Sequence, residues 1–439
     1  MCGDGAVEIC DKVFRPKSKK SLSDIPARVQ VYGDILSGGE IIDDGMAVVF
    51  RAPASYTGED TVEISCHGGI LITAKVLEAI FVAGASPAAA GEFTQRAFIN
   101  GKLSLTDAEA IGNLLEAKNE EQIKLASGSA REKLNLATES VRKKLSSLLA
   151  SIFARIDYPD EDLGEFTNTE TLAYLKDIKE EISSLLKTYP TAKAINEGVS
   201  TVICGKTNVG KSSLYNAVLC EDAAIVTSIE GTTRDVLSST VTLGKVLLKL
   251  SDTAGLRSEA RADEVEKIGI ERSFSAIDSA ELIIAVFDGS RELDDEDETI
   301  LSRLSAIAKP KIAVINKGDL DKKFAGNELT EFSEVIEISA KEDPQKARSL
   351  LCDVINKLFI NEELKSGDDA IVISARQNAA LLSAYEYIDA AISALTRGEF
   401  TDAAASEIEL ALGKIAELDG RAVAEEVLGE IFSKFCVGK

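Results

Sequence analysis

A single histidine, His67, stands in the whole 439-residue chain. That scarcity excludes histidine-rich metal sites and makes any Ser–His or Cys–His catalytic pair depend on one residue. Cysteine is present but unorganised: Cys2, Cys10, Cys66, Cys204, Cys220, Cys352 and Cys436 are odd in number and never spaced C-x-x-C. This argues against a disulfide framework or zinc ribbon, and for a reducing compartment. Long apolar runs are missing, so nothing approaches the roughly 18–20 unbroken apolar residues of a membrane span. The opening MCGDGAVEICDK lacks the basic start and apolar core of a secretory leader. The expected address is cytoplasmic, with no membrane. Above all the chain lacks positive charge: 49 Lys and Arg face 73 Asp and Glu, a formal net charge of −24. Such an average field repels nucleic acid, so any RNA contact requires a local basic patch or a partner's surface.

What is present describes a globular protein, 45% apolar and 28% charged, with room for roughly three domains. Residues 1–103 alternate short strand-like runs (28–36, 46–52, 61–65) with turns, then a helical pattern over 70–83 and the turn-rich ASPAAAGEF. From Thr106 to about Lys187 apolar residues recur at three and four. Between Val199 and about Ile360 strand-like runs (199–204, 246–250, 282–287, 312–315, 335–338) alternate with helical segments, the mark of a parallel sheet with crossover helices. Helical periodicity then resumes from Leu381 to Ile431. Each helical flank alone would leave a wide apolar stripe uncovered, which favours one interrupted bundle over two separate helical domains. The expected boundaries are 1–103 for an N-terminal α/β domain, 104–196 with 363–439 for a helical domain, and 197–362 for an inserted α/β domain.

The inserted segment carries the chemistry. Gly205-Lys206-Thr207-Asn208-Val209-Gly210-Lys211-Ser212 matches G-x-x-x-x-G-K-[ST] between an apolar strand and a helix over 213–219. Glycines there let backbone N–H groups close around phosphates. Lys211 is expected to reach the β- and γ-phosphates, and Ser212 to bind Mg²⁺, with Ser213 following in the helix. Asp252-Thr253-Ala254-Gly255 ends the run VLLKL, where a carboxylate can hold Mg²⁺ through water and Gly255 can approach the γ-phosphate. Asn316-Lys317-Gly318-Asp319 ends IAVI, and Asp319 offers two acceptors to the N–H edge of guanine, which adenine lacks. Ser339-Ala340-Lys341 ends the next strand and would present N–H to the guanine oxygen. Thr233, in Gly231-Thr232-Thr233-Arg234-Asp235, is the expected switch threonine on Mg²⁺. Each short motif alone suits a surface loop. The first four in order, each at a strand end, imply GTP and exclude a generic ATPase.

IVTSIEGTTRDV, DTAGLR and DEVEKIGIERS resemble the G domain of the MnmE (TrmE) family of tRNA-modification GTPases, within the wider group of potassium-using GTPases. Leu256 stands where Ras-like enzymes carry a water-orienting glutamine. The resemblance implies two replacements. Asn208 with the loop Thr227, Ser228, Ile229, Glu230, Gly231 and Thr232 would hold K⁺ against the phosphates, with Asn208, Thr227, Ile229 and Thr232 as its ligands. Glu266 would orient the attacking water. Read without the resemblance, Glu266 is a solvated helix carboxylate in an acidic run. On this reading Glu266, Lys211 and Thr233 are the catalytic group.

A potassium-type G domain also fits a ribosome-assembly factor, so the flanks discriminate. Residues 56–63 (YTGEDTVE), His67-Gly68-Gly69, residues 91–98 (GEFTQRAF), Lys102 and the ending Phe435-Cys436-Val437-Gly438-Lys439 resemble the MnmE family motif by motif. The implied fold is a small folate-binding-like α/β domain, a helical bundle and an inserted Ras-like P-loop G domain. The implied function is modification of carbon 5 of the wobble uridine of certain tRNAs. A homodimer would act with a FAD-bearing MnmG (GidA) family partner in a heterotetramer. A reduced folate, 5-formyl- or 5,10-methylene-tetrahydrofolate, would supply the one-carbon unit. Matching positions make Glu63, Lys102 and Lys439 the folate contacts. Cys436 is a possible tRNA-modification residue, although no histidine or other base is near it in sequence, and His67 is expected to have a local hydrogen-bonding role. The family's opening strand with its Arg-x-Ser-Gly segment has no counterpart before Ala6–Phe14, so the N-terminus reads as shortened.

Overall fold

The computed structural model describes residues 1–18, 20–157, 168–219, 238–251, 277–324, 326, 329–364, 369–397, 401–420, 425–433 and 435. The chain divides into two compact units. One comprises Met1–Leu115, Thr138–Asn168 and Glu386–Lys439, the other Glu116–Ala137 and Thr169–Tyr385.

The first unit opens with a helix, Ala6–Val13, started by Gly5 in the left-handed region. Ala6, Val7, Cys10 and Val13 fall on one face and are buried. Four antiparallel strands follow in spatial order: β1 (Phe14–Pro16), β2 (Gln30–Ser37), β3 (Glu40–Phe50) and β4 (Thr61–Ser65). Ser37 pairs with Glu40, leaving Gly38 and Gly39 as a two-residue turn with φ of 57° and 90°. Both angles are positive, as a type I′ hairpin requires and as glycine permits. Ile35, Ala47, Val49 and Val62 from the sheet pack with Val7, Cys10 and Val76, the last from the helix Ile70–Val82. Further along, the helix Leu105–Glu116 meets the end of the helix Thr401–Leu418: Leu105 N–H donates to Asp419 O over 3.3 Å and Thr106 Oγ1 to Leu418 O over 3.0 Å. The helix Glu425–Ser433 and Phe435 close the unit, with the Phe432 ring 6.3 Å from Phe98 and 5.8 Å from Phe435.

The second unit is built on six strands: β5 (Val199–Cys204), β6 (Ser238–Leu243), β7 (Val246–Ser251), β8 (Leu282–Asp288), β9 (Lys311–Asn316) and β10 (Glu334–Glu337). Their order is β10-β9-β8-β5-β7-β6, parallel except for the antiparallel hairpin β6–β7. Every residue of β8 and β9 is buried, as expected of strands covered on both faces. The helices Lys211–Leu219 and Pro344–Phe359 pack Leu214, Val218, Leu351 and Ile355 on one face. The helix Asp295–Ser305 packs Leu304 on the other. The β6–β7 turn lies close on the helix Pro344–Phe359. Lys245 N–H donates to Asn356 Oδ1 over 3.1 Å, and a Cβ at Gly244 would stand 2.5 Å from Asn356 Nδ2.

Candidate nucleotide-binding site

β5 ends at Cys204, and the chain turns through Gly205–Gly210 into the helix Lys211–Leu219. The turn admits no side chain at its glycines. Gly205 has φ +141°, and a Cβ there would sit 2.3 Å from Val286 O; Gly210 has φ +101°, and a Cβ would sit 2.0 Å from Asn316 Nδ2. Asn208 is left-handed as well, φ 63°, the conformation Asn tolerates best after glycine. Val209 is buried and pins the middle of the loop, leaving Thr207, Asn208 and Ser212 exposed.

Lys211 turns back over this loop, its Nζ donating to Gly205 O at 2.9 Å and Lys206 O at 2.7 Å. Burial pushes its pKa below the ordinary lysine value, with a small opposing effect from Cys204. Among the described residues this ammonium meets no carboxylate. A desolvated cation among carbonyl dipoles at a helix N-terminus suits an anion. Beneath it, burial pushes the Cys204 thiol up to about 12.

Asn316, the last residue of β9, joins three strand ends. Its Nδ2 donates to Val209 O over 2.8 Å, and its Oδ1 accepts from Ala340 N–H over 2.9 Å. The loop after β10 is tied again where Gly318 N–H donates to Ile338 O over 2.9 Å and the Ser339 hydroxyl donates to Asp319. Asp319 and Lys341 are exposed. Lys317 is left-handed, φ 64°, and its Nζ reaches Asp288 Oδ2 at 2.6 Å. Burial pushes the Asp288 carboxyl up, but hydrogen bonds from Lys317 and Ser290 together hold it below the ordinary value. The phosphate loop, Asn316-Lys317-Gly318-Asp319 and Ser339-Ala340-Lys341 are thus brought together at one edge of the sheet, at the carboxyl ends of its parallel strands. Thr227, Ser228, Ile229, Glu230, Gly231, Thr232, Thr233, Asp252, Thr253, Ala254, Gly255, Leu256 and Glu266 lie outside the described residues.

In the first unit, Lys102 Nζ donates to Pro53 O over 2.9 Å, and a Cβ at Gly58 would stand 3.3 Å from Lys102 Cγ. Arg96 joins Glu59 at 3.1 Å to Glu92 at 2.7 Å, and Tyr56 Oη lies 3.0 Å from Thr94 Oγ1. Residues 56–59, 91–98 and 102 are therefore packed together. Glu63 stands exposed on β4. Cys436 and Lys439 lie outside the described residues, but Phe435 just before them packs its ring on Gly112. His67 accepts the local role expected of it: its Nδ1 lies 2.9 Å from Asp43 Oδ1, and its N–H donates to Asp43 Oδ2 over 2.9 Å.

Arg96 and Asp288 were not singled out by sequence. Arg96 sits inside a motif whose contacts are all long-range. Asp288 had a usable signal, an acid ending a wholly apolar strand beside the strand that ends in Asn316-Lys317.

Comparison with known proteins agrees over the full length. The family model "GTP-binding protein TrmE N-terminus" matches residues 1–102, and "MnmE helical domain" matches 105–436. The chain belongs to the MnmE family of tRNA modification GTPases. Among relatives bearing the name tRNA modification GTPase MnmE, that of Thermoanaerobacter pseudethanolicus is 37% identical over 445 residues, spanning 100% of this chain and 95% of its own. The Thermotoga maritima protein is 39% identical over 100% of this chain and 96% of its own, and the Clostridioides difficile protein 36% over 100% and 95%. The two MnmE-family matches meet between residues 102 and 105, where the helix Leu105–Glu116 begins. No helix among the described residues is long and apolar enough to cross a membrane.

Proposed function

We propose that this chain binds and hydrolyses GTP with stimulation by K⁺, and that hydrolysis serves modification of carbon 5 of the wobble uridine in certain tRNAs. The observation that carries the reading is Lys211, a half-buried ammonium without a carboxylate partner among the described residues, following a glycine turn braced by Asn316. The loop's N–H groups and Lys211 hold the β- and γ-phosphates, and Asp319 reads guanine together with a backbone N–H of Ser339-Ala340-Lys341 other than that of Ala340, which Asn316 already holds. When bound, Mg²⁺ at Ser212 and Thr233 and K⁺ at Asn208, Thr227, Ile229 and Thr232 supply positive charge to the phosphates. Asn208 within the loop and Ser212 just after it are both exposed, which fits those roles. Glu266 orients the water.

The surface around Lys102 and Gly58 takes the reduced folate, with Glu63 and Lys439 completing it; a cation resting on a single carbonyl fits the carboxylates of a glutamyl tail. The organisation behind this is an N-terminal domain over 1–103, a helical domain over 104–196 and 363–439, and a G domain over 197–362. A second copy covers the helix Ile70–Val82, whose Ile70, Leu77 and Phe81 make a stripe exposed at 93%, 52% and 39%. The same stripe on both partners suits a two-fold interface. A FAD-bearing MnmG-family partner and cytoplasmic tRNA complete the system.

The test is GTP turnover by the full chain, with and without Asp319→Asn, in competition with xanthosine triphosphate. The substitution should shift preference toward xanthine, whose 2-oxo edge needs a donor. Equal selectivity in both proteins would remove Asp319 from the base site. No binding of GTP by the unaltered chain would end the reading.

A further inference from the structure

The segment that follows β8 is bonded to both halves of the nucleotide site. At its start Asp288 pairs in register with Asn316 across β8 and β9, and Gly289 N–H donates to Asn316 O over 2.9 Å. Gly289 sits so close that a Cβ would stand 2.9 Å from Ile315 Cγ2. This places the Asp288 carboxylate beside the next residue of β9's exit, Lys317. Ser290 N–H and Oγ both donate to Asp288 Oδ1, at 3.0 and 2.6 Å, which turns Oδ2 toward Lys317 Nζ. The Asp288 side chain is only 8% exposed, so its charge acts with little screening by water. Further on, Asp294 and Glu296 hold Lys206 of the phosphate loop, at 2.6 and 3.0 Å.

We propose that Asp288 is a positioning residue for guanine-nucleotide binding, acting through Lys317. The inference rests on the guanine-nucleotide reading above. Lys317 occupies a left-handed backbone conformation that a lysine rarely adopts, so its side chain leaves the strand end in a direction few residues share. A long, flexible ammonium sent that way has many rotamers, and ordering it on binding costs affinity. The Asp288 carboxylate removes that freedom beforehand, leaving Lys317 fixed between the buried Asn316 and the base-reading Asp319. This is preorganisation of a ligand-binding cation by a residue that need not touch the ligand. Asp288 also keeps its other oxygen satisfied by Ser290, so its removal frees Lys317 more than it disturbs the fold.

The experiment is a double-mutant cycle on the full chain, reading the dissociation constant of a fluorescent GDP. Asp288→Asn, isosteric and able to keep the Ser290 bonds, should weaken binding about tenfold, the scale of one charge-assisted hydrogen bond. In a Lys317→Met background the same change should have less than a twofold further effect. Asp288→Glu should recover part of the loss, and melting of all variants by circular dichroism checks that they fold. A tenfold loss that persists in the Lys317→Met background overturns the inference, because Asp288 would then act on the fold alone. Unchanged or tighter binding in Asp288→Asn also overturns it, while leaving the GTP reading intact. An unaltered chain that binds no guanine nucleotide overturns both.

Discussion

The side-chain amide of Asn316 donates to the carbonyl of Val209 over 2.8 Å, tying the end of β9 to the middle of the phosphate loop. Its oxygen takes Ala340 N–H, so one residue, 3% exposed, holds two loops that otherwise share no backbone bond with it. Asn316→Ala would leave a buried carbonyl and a buried N–H unpaired. The expected cost is about 2 kcal/mol, seen as a lowered melting temperature, with weaker GDP binding. Asn316→Asp should not rescue it, because an oxygen would then face the Val209 carbonyl. A variant that melts and binds as the parent does would show that the loops hold themselves.

Hydrolysis is expected to depend on K⁺. Turnover in potassium chloride should exceed that in sodium chloride at equal ionic strength, and Asn208→Ala should abolish the difference while leaving nucleotide binding largely intact. Glu266→Ala should slow turnover about 10²-fold without weakening GTP binding. Equal rates with both salts, or an active Glu266→Ala protein, would each remove one of the assigned roles.

His67 can be read without interference, since proton NMR of this chain contains one imidazole. The hydrogen bond and charge of Asp43 hold its pKa above the ordinary value of 6.5. The protonated form is therefore favoured by folding. That contribution is complete below the unfolded pKa and is lost as pH rises through the folded one. Titration should show a midpoint above 6.5, falling toward it in Asp43→Asn. A parental midpoint at or below 6.5 would mean that Asp43 and His67 do not pair in solution.

Deleting Cys436–Lys439 should leave GTP hydrolysis within about twofold, because the tail belongs to the other compact unit. Reduced-folate binding, measured by calorimetry, should weaken strongly. Phe435 remains in the shortened chain, so its packing on Gly112 is retained and a fold defect is not expected. Equal folate binding by both forms would detach Lys439 from the site.

Much of this was legible in sequence because fully buried parallel strands are written as continuous apolar runs. The runs 199–204 and 282–287 are found as β5 and β8 almost residue for residue. β3 begins earlier than its apolar core suggests: three of the five residues Glu40–Asp44 are acidic, and the segment becomes strand only by pairing with β2 across Gly38-Gly39. The helix Ala6–Val13 has eight residues, too few for periodicity to stand out, and the helix Glu92–Ile99 starts in the last two residues of the turn-rich ASPAAAGEF. β6 runs antiparallel at the sheet edge, an exception that alternation of strands and helices does not announce. At the site, glycine turns and strand-end motifs are local patterns. Asn316 to Val209 spans 107 residues and Lys317 to Asp288 spans 29, so neither bond leaves a pattern in any window of sequence.

The bond from Thr106 to Leu418 joins positions 312 residues apart. A ribosome adding about 5–20 residues per second needs tens of seconds between making the first of these and the second. Through that interval the faces of Leu105 and Ala108 that finally meet Phe432 and Phe435 have no permanent cover. The sheet β5–β10 can assemble meanwhile, since all its strands emerge before Leu418. The helix Leu105–Glu116 is thus made early in synthesis and sealed late. Nascent chains stalled between the two positions should be held by chaperones that recognise apolar helix, and released once the terminal helix arrives.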